Sequence, residues 1–106
     1  MKPITQKEVQ DLFYYIDGKL IWKTGRFAGK KAGNVEKYLG YIRIGHNNQK
    51  YYEHELVWIF CHGYKIPFPN VTDHIDRNRA NNNIGNLREA SRRQNYFNVE
   101  KYDDVE

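Results

Sequence analysis

Cysteine is nearly absent from this 106-residue chain, where Cys61 stands alone. One thiol excludes an internal disulfide and a cysteine-rich zinc site, and it suits a reducing compartment. No stretch approaches the ~18 consecutive apolar residues of a membrane span. Residues 1–10 lack the apolar core of a secretory signal, so the chain reads as soluble. Acid is scarce over one long stretch. Between Lys19 and Lys50 there are eight basic residues, and Glu36 is the only acidic one.

What is present is aromatic and basic. The hydrophobic fraction is only 40%, but nine Tyr, five Phe and two Trp supply large buried areas, so this is not a disordered composition. The length fits one domain over residues 1–106, with no repeat or linker. Net charge is +4, yet residues 100–106 are acidic, and residues 1–99 carry 16 basic against 9 acidic residues. A one-signed surface of that kind suits an anionic partner, and nucleic-acid phosphate is the obvious one. An ordinary solvated surface would look the same by charge alone.

The pattern along the chain alternates short elements. Thr5 sits three residues before Glu8, a capping box that opens a helix over 5–13. Asp17-Gly18 lies between β-prone residues and predicts a hairpin pairing 14–16 with 19–23. Residues 25–34 read as a Gly/Lys-rich loop. Strands follow at 41–44 and 50–52, with a turn over 46–49. Leu56, Val57, Phe60 and Cys61 fall on one helical face, with Gly63 as the stop. A short strand over 71–75, a polar run over 76–83, a strand over 84–90 and a helix over 92–99 capped by Ser91 complete the reading.

Two constellations bear on chemistry. His54-Glu55 lacks a second His at position 58, which is Trp, so a metalloprotease helix is excluded. His62 lies two turns from His54, too far to share a metal with it, and His54 reads as a buried or hinge histidine making hydrogen bonds. The second constellation spans residues 72–95. Asp73 is a hard oxygen donor suited to Mg²⁺, and His74 beside it can take a proton near neutral pH. Neighbours on a strand point to opposite faces, so the two cooperate only if the strand ends or bends there. The Asn-rich run after them equally suits a loop built on Asx turns, and the residue types leave both readings open.

Asp73-His74, then Asn82-Asn83-Ile84-Gly85-Asn86-Leu87-Arg88, then Asn95, resemble the HNH nuclease motif in its H-N-N form, the homing-endonuclease branch typical of phage genomes. The spacing is twelve residues from His74 to Asn86 and nine more to Asn95. His54 to Trp58 is similar to an upstream element of that branch, with Glu55 where Arg is usual. The resemblance implies an α+β fold: an N-terminal helix and β-hairpins over residues 1–52, packed with a ββα-metal finger over 53–99, then an acidic tail over 100–106. It implies a metal-dependent endonuclease of the homing or nicking type, hydrolysing phosphodiester bonds. His74 would be the general base. Asn86 would pair with backbone near His74 and orient the imidazole. Asp73 and Asn95 would hold one divalent cation. Asn95 stands where many members have His, and its amide oxygen favours Mg²⁺ or Mn²⁺ over Zn²⁺.

The implied partner is double-stranded DNA, with monomer and homodimer both open and the cytoplasm as the place of action, in the host cell if the gene is phage-borne. Lys30, Lys31, Arg43, Arg77, Arg79, Arg92 and Arg93 are the candidate DNA contacts. Arg92 and Arg93 lie near a helix N-terminus, where backbone N–H groups also attract phosphate. The competing readings are a noncatalytic DNA-binding module that retains the finger, and an RNA-binding protein that stacks bases on its aromatics.

Overall fold

The computed structural model describes residues 3–96. The fold is α+β. Helix α1 (Gln6–Leu12) runs directly into strands β1 (Phe13–Ile16) and β2 (Lys19–Trp22), followed by β3 (Asn34–Val35), β4 (Ile42–His46) and β5 (Gln49–Tyr52). Helix α2 (Glu53–His62) starts without a break after β5. Then come β6 (Val71–His74), a 3₁₀ turn (Ile84–Asn86), β7 (Leu87–Ala90) and a last helix beginning at Arg92. Residues 97–99 of the expected helix and the acidic segment 100–106 lie outside the described residues. No helix of the described residues is long and apolar enough to cross a membrane.

Local chemistry explains most of these boundaries. The Glu8 N–H donates to Thr5 Oγ1 (3.2 Å) and the Thr5 N–H to Glu8 Oε1 (3.0 Å), the reciprocal bonds of a capping box. At the first hairpin, Asp17 and Gly18 have φ of 51° and 79°, the paired positive values that match strand twist in a two-residue turn. Asn47 and Asn48, at 52° and 62°, do the same between β4 and β5. The turn is therefore two residues long, not four, and His46 pairs with Gln49 inside the ladder. Asn34 joins a strand beside β4 and is not loop. Ile84 to Asn86 form a 3₁₀ turn where a strand was expected, because the Asn83 side chain accepts from the Gly85 N–H (3.1 Å) and winds the chain before β7.

Three small antiparallel sheets surround α2: β1-β2, β3-β4-β5 and β6-β7. Val9, Phe13, Leu20, Ile44, Leu56 and Val57 form the dry centre. The buried face of α2 differs from the expected one. Trp58 and Ile59 are buried, Phe60 is half-buried and Cys61 is exposed. The helix packs against α1 and β2, β4 and β5, and also against β6 and the 3₁₀ turn. Its buried stripe is therefore too wide for a simple amphipathic period, and it takes in Glu53 and His54.

Candidate active site

Strand β6 ends at His74, so the chain turns where Asp73 and His74 meet. Both are buried, at 2% and 5% exposure. Asp73 stands opposite Arg88 in the β6-β7 register, and the Arg88 Nε–H donates to Asp73 Oδ2 at 2.8 Å. Burial pushes the His74 pKa down. The Asn82 hydrogen bond and the Asp73 and Asp76 charges pull it up, Arg79 lowers it, and the net direction is downward. His74 is thus neutral near pH 7, the state a proton acceptor needs.

The loop between β6 and β7 is built from Asx geometry. The Asn78 N–H donates to Asp76 Oδ1 (2.8 Å) and the Ala80 N–H to Asn78 Oδ1 (3.0 Å). Asn86 closes the loop. Its Oδ1 accepts from the Asp76 N–H (3.0 Å), and its Nδ2 donates to Asp76 Oδ1 (2.8 Å) and to the Asn81 carbonyl (2.9 Å). Asn86 therefore pairs with backbone two residues beyond His74. On the imidazole itself lies Asn82, whose Oδ1 is 2.7 Å from His74 Nε2. Asn82 Nδ2 in turn donates to Glu53 Oε1 (2.8 Å), and the Leu20 N–H donates to Glu53 Oε2 (3.1 Å). Sequence reasoning missed Asn82 and Glu53. Nothing local separates Asn82 from its neighbours Asn81 and Asn83. What marks it is 1% exposure and a partner 29 residues away.

Asn95 lies in the first turns of the last helix. Ser91 caps that helix as expected: the Gln94 N–H donates to Ser91 Oγ (3.1 Å) and the Ser91 N–H to Gln94 Oε1 (2.9 Å). Asn95 lines a cleft of about 490 Å³ together with Thr72, His54, Glu55, Tyr52 and Phe68. Among the described residues no three or more His, Cys, Asp or Glu side chains are grouped so that they could hold a metal ion.

Lys30, Lys31, Arg77, Arg92 and Arg93 are exposed, and Arg92 stacks over the ring of exposed Phe68. Arg43 and Arg79 are partly buried. Arg43 pairs with Glu36 at 2.7 Å and lies over Tyr52, and Arg79 donates to the Leu39 carbonyl (2.8 Å) and lies over Tyr41. These two hold strand and loop together.

His54 is buried as expected, but its Nδ1 has no hydrogen-bond partner among the described residues. The ring stacks on Tyr52 (5.2 Å between centroids, 14° between planes) and meets His74 edge-on at 5.0 Å. Burial, and secondarily the neighbouring His74, pushes its pKa from 6.5 down to about 3. Unfolded His54 takes a proton near pH 6.5, whereas folded His54 resists it down to about 3. Stability is therefore full above pH 6.5 and falls as pH drops toward 3. Between pH 6.5 and 5 the loss is on the order of 2 kcal/mol, at about 1.36 per pH unit. Urea unfolding at pH 7 and pH 5 tests this. His54→Phe should lose less stability on acidification than wild type, and an equal loss in both would refute the assignment.

Comparison with known proteins agrees with the geometry. A family model described as HNH endonuclease matches residues 51–96. A solved structure reported as "DNA binding and cleavage by the HNH homing endonuclease I-HmuI" superposes with a TM-score of 0.60 at 29% identity, over 85% of this chain. The chain spans about half (52%) of that protein's length. No curated protein matches at a significant level. Strand, Asx loop, strand and capped helix over residues 51–96 thus match the HNH endonuclease family model, and the fold is similar to that of an HNH homing endonuclease.

Proposed function

We propose that the chain is a metal-dependent DNA endonuclease that hydrolyses one phosphodiester bond per binding event, as a nicking or homing-type enzyme. The observation that carries this reading is a buried His74 held at the end of β6 beside Asp73, with its ring fixed by a 2.7 Å hydrogen bond. His74 takes the proton of the attacking water as general base. Asp73 and Asn95 are the residues that would hold a divalent cation, Mg²⁺ or Mn²⁺. The donor set fits such an ion, because both side chains offer hard oxygen. A bound cation supplies positive charge to the phosphate and to the leaving oxygen.

The exposed cations have a matching role. Arg77 on the finger loop, Arg92 and Arg93 on the last helix, and Lys30 and Lys31 beyond β2 are exposed, and in this reading they meet backbone phosphates, contacts that position a duplex without reading its sequence. One catalytic set per chain cuts one strand, so a double-strand break takes a second copy or a second visit. Residues 1–52 serve this reading as the DNA-contacting half and 53–99 as the nuclease core.

The test is direct. Supercoiled plasmid incubated with the purified chain and Mg²⁺ or Mn²⁺ should convert to relaxed circle, and EDTA should abolish the conversion. Duplex binding with no metal-dependent nicking would instead indicate a noncatalytic DNA-binding module.

A further inference from the structure

We propose that Glu53 and Asn82 are positioning residues that fix His74 in its Nε2–H tautomer, so that the basic lone pair lies on Nδ1. The proposal rests on the reading of His74 as the general base, and it deepens that reading.

One donor in this buried chain cannot reverse. The Leu20 backbone N–H points at Glu53 Oε2 at 3.1 Å. Glu53 is fully buried, and its carboxylate can only accept. Its position as the first residue of α2 places the negative charge where the helix dipole favours it. Its second oxygen, Oε1, lies 2.8 Å from the Asn82 amide. An amide presents one donating and one accepting end. With Nδ2 toward the carboxylate, Oδ1 faces the imidazole, and flipping it would set oxygen against oxygen at 2.8 Å. The ring nitrogen 2.7 Å from Oδ1 must therefore carry the hydrogen. Donor polarity runs one way through the buried chain, from Leu20 and Asn82 into Glu53 and from His74 into Asn82. A neutral imidazole has a single N–H, so the remaining nitrogen is the base.

This ordering predicts the effect of an isosteric change. In Glu53→Gln, the new Oε1 still accepts from the Leu20 N–H, but the new amide N–H₂ faces Asn82. Asn82 must then turn its oxygen toward Gln and its Nδ2 toward the ring. The facing ring nitrogen becomes an acceptor, and the hydrogen moves to Nδ1. The base is blocked with no loss of volume and with every hydrogen bond still made.

The experiment is a long-range ¹H–¹⁵N correlation spectrum of the full chain, metal-free at pH 8, with His74 assigned by its loss in a His74→Gln variant. Wild type should show His74 protonated at Nε2, and Glu53→Gln should show it protonated at Nδ1. In parallel, plasmid nicking by Glu53→Gln should fall by ~10²–10⁴-fold, the usual worth of a general base. A wild-type Nδ1–H tautomer overturns the proposal whether or not Glu53→Gln folds. A Glu53→Gln protein that keeps the wild-type tautomer also overturns it, whatever its nicking rate. If wild type shows the Nε2–H tautomer and the variant inverts it, yet neither protein nicks DNA, the positioning role stands and the nuclease reading alone is lost.

Discussion

His74→Ala is expected to nick supercoiled plasmid ~10²–10⁴-fold more slowly than wild type, the contribution of a positioned general base. That corresponds to about 3–5 kcal/mol of barrier, at about 1.36 kcal/mol per tenfold. The measurement needs saturating DNA and metal, so that the rate reports the chemical step. The substitution also leaves Asn82 Oδ1, buried at 2.7 Å from the missing ring, without its donor. An orphaned buried acceptor costs about 1–3 kcal/mol of stability. His74→Gln separates the two effects. Its side-chain amide can restore a hydrogen bond to Asn82, yet it cannot act as a base. A His74→Gln protein with near wild-type melting and the full loss of rate would assign the loss to chemistry. Nicking by His74→Ala at the wild-type rate would remove His74 from the mechanism.

Gly18→Ala is the second large effect. Gly18 has φ of +79°, and a Cβ there would lie 2.7 Å from the Asn83 N and 2.9 Å from its Cα. The left-handed backbone costs an L-residue roughly 1–2 kcal/mol. Overpacking adds roughly 1–3 kcal/mol, and here the obstruction is backbone, which cannot swing aside as a side chain can. A combined loss of about 2–5 kcal/mol lowers the melting temperature of a domain this size by on the order of 10–30 °C. Gly29 supplies the control. Its φ is +84°, but nothing lies within 4 Å of its virtual Cβ, so Gly29→Ala carries only the backbone cost. Gly18→Ala should also lose more nicking activity than its folded fraction accounts for, because the displaced residue is the neighbour of Asn82. Equal melting temperatures and equal rates for the two variants would show that the hairpin turn does not seat the finger loop.

Elements with a local chemical cause were legible in the sequence. Thr5 with Glu8, Asp17-Gly18 and Ser91 each announce a cap or turn through their own side chains or φ preference, and each sits where expected. Asp73 and His74 were legible as a pair because a strand terminus was required between β6 and its loop. The start of α2 was not legible. Glu53 and His54 are polar, so an apolar-periodicity argument begins the helix after them, yet both are buried because the finger covers that side of the helix. Cys61 was misplaced for the same reason: the helix is covered on two sides, and the centre of its buried stripe shifts. Arg43 and Arg79 count as free cations in a charge tally, but the contacts to Glu36 and the Leu39 carbonyl that tie them inward exist only in the folded chain.

The Leu20 N–H on Glu53 has a consequence for modularity. The segment that carries the family match begins at residue 51, but the donor that orients its buried carboxylate comes from β2. The Tyr15 hydroxyl likewise accepts the Ile84 N–H at 2.8 Å across the same boundary. A cassette cut at the motif and grafted onto another scaffold would carry every candidate site residue and leave behind the Leu20 N–H and the Tyr15 hydroxyl that hold the segment in order. Exchange of N-terminal halves between proteins of this kind is therefore constrained to partners that present an equivalent hairpin edge.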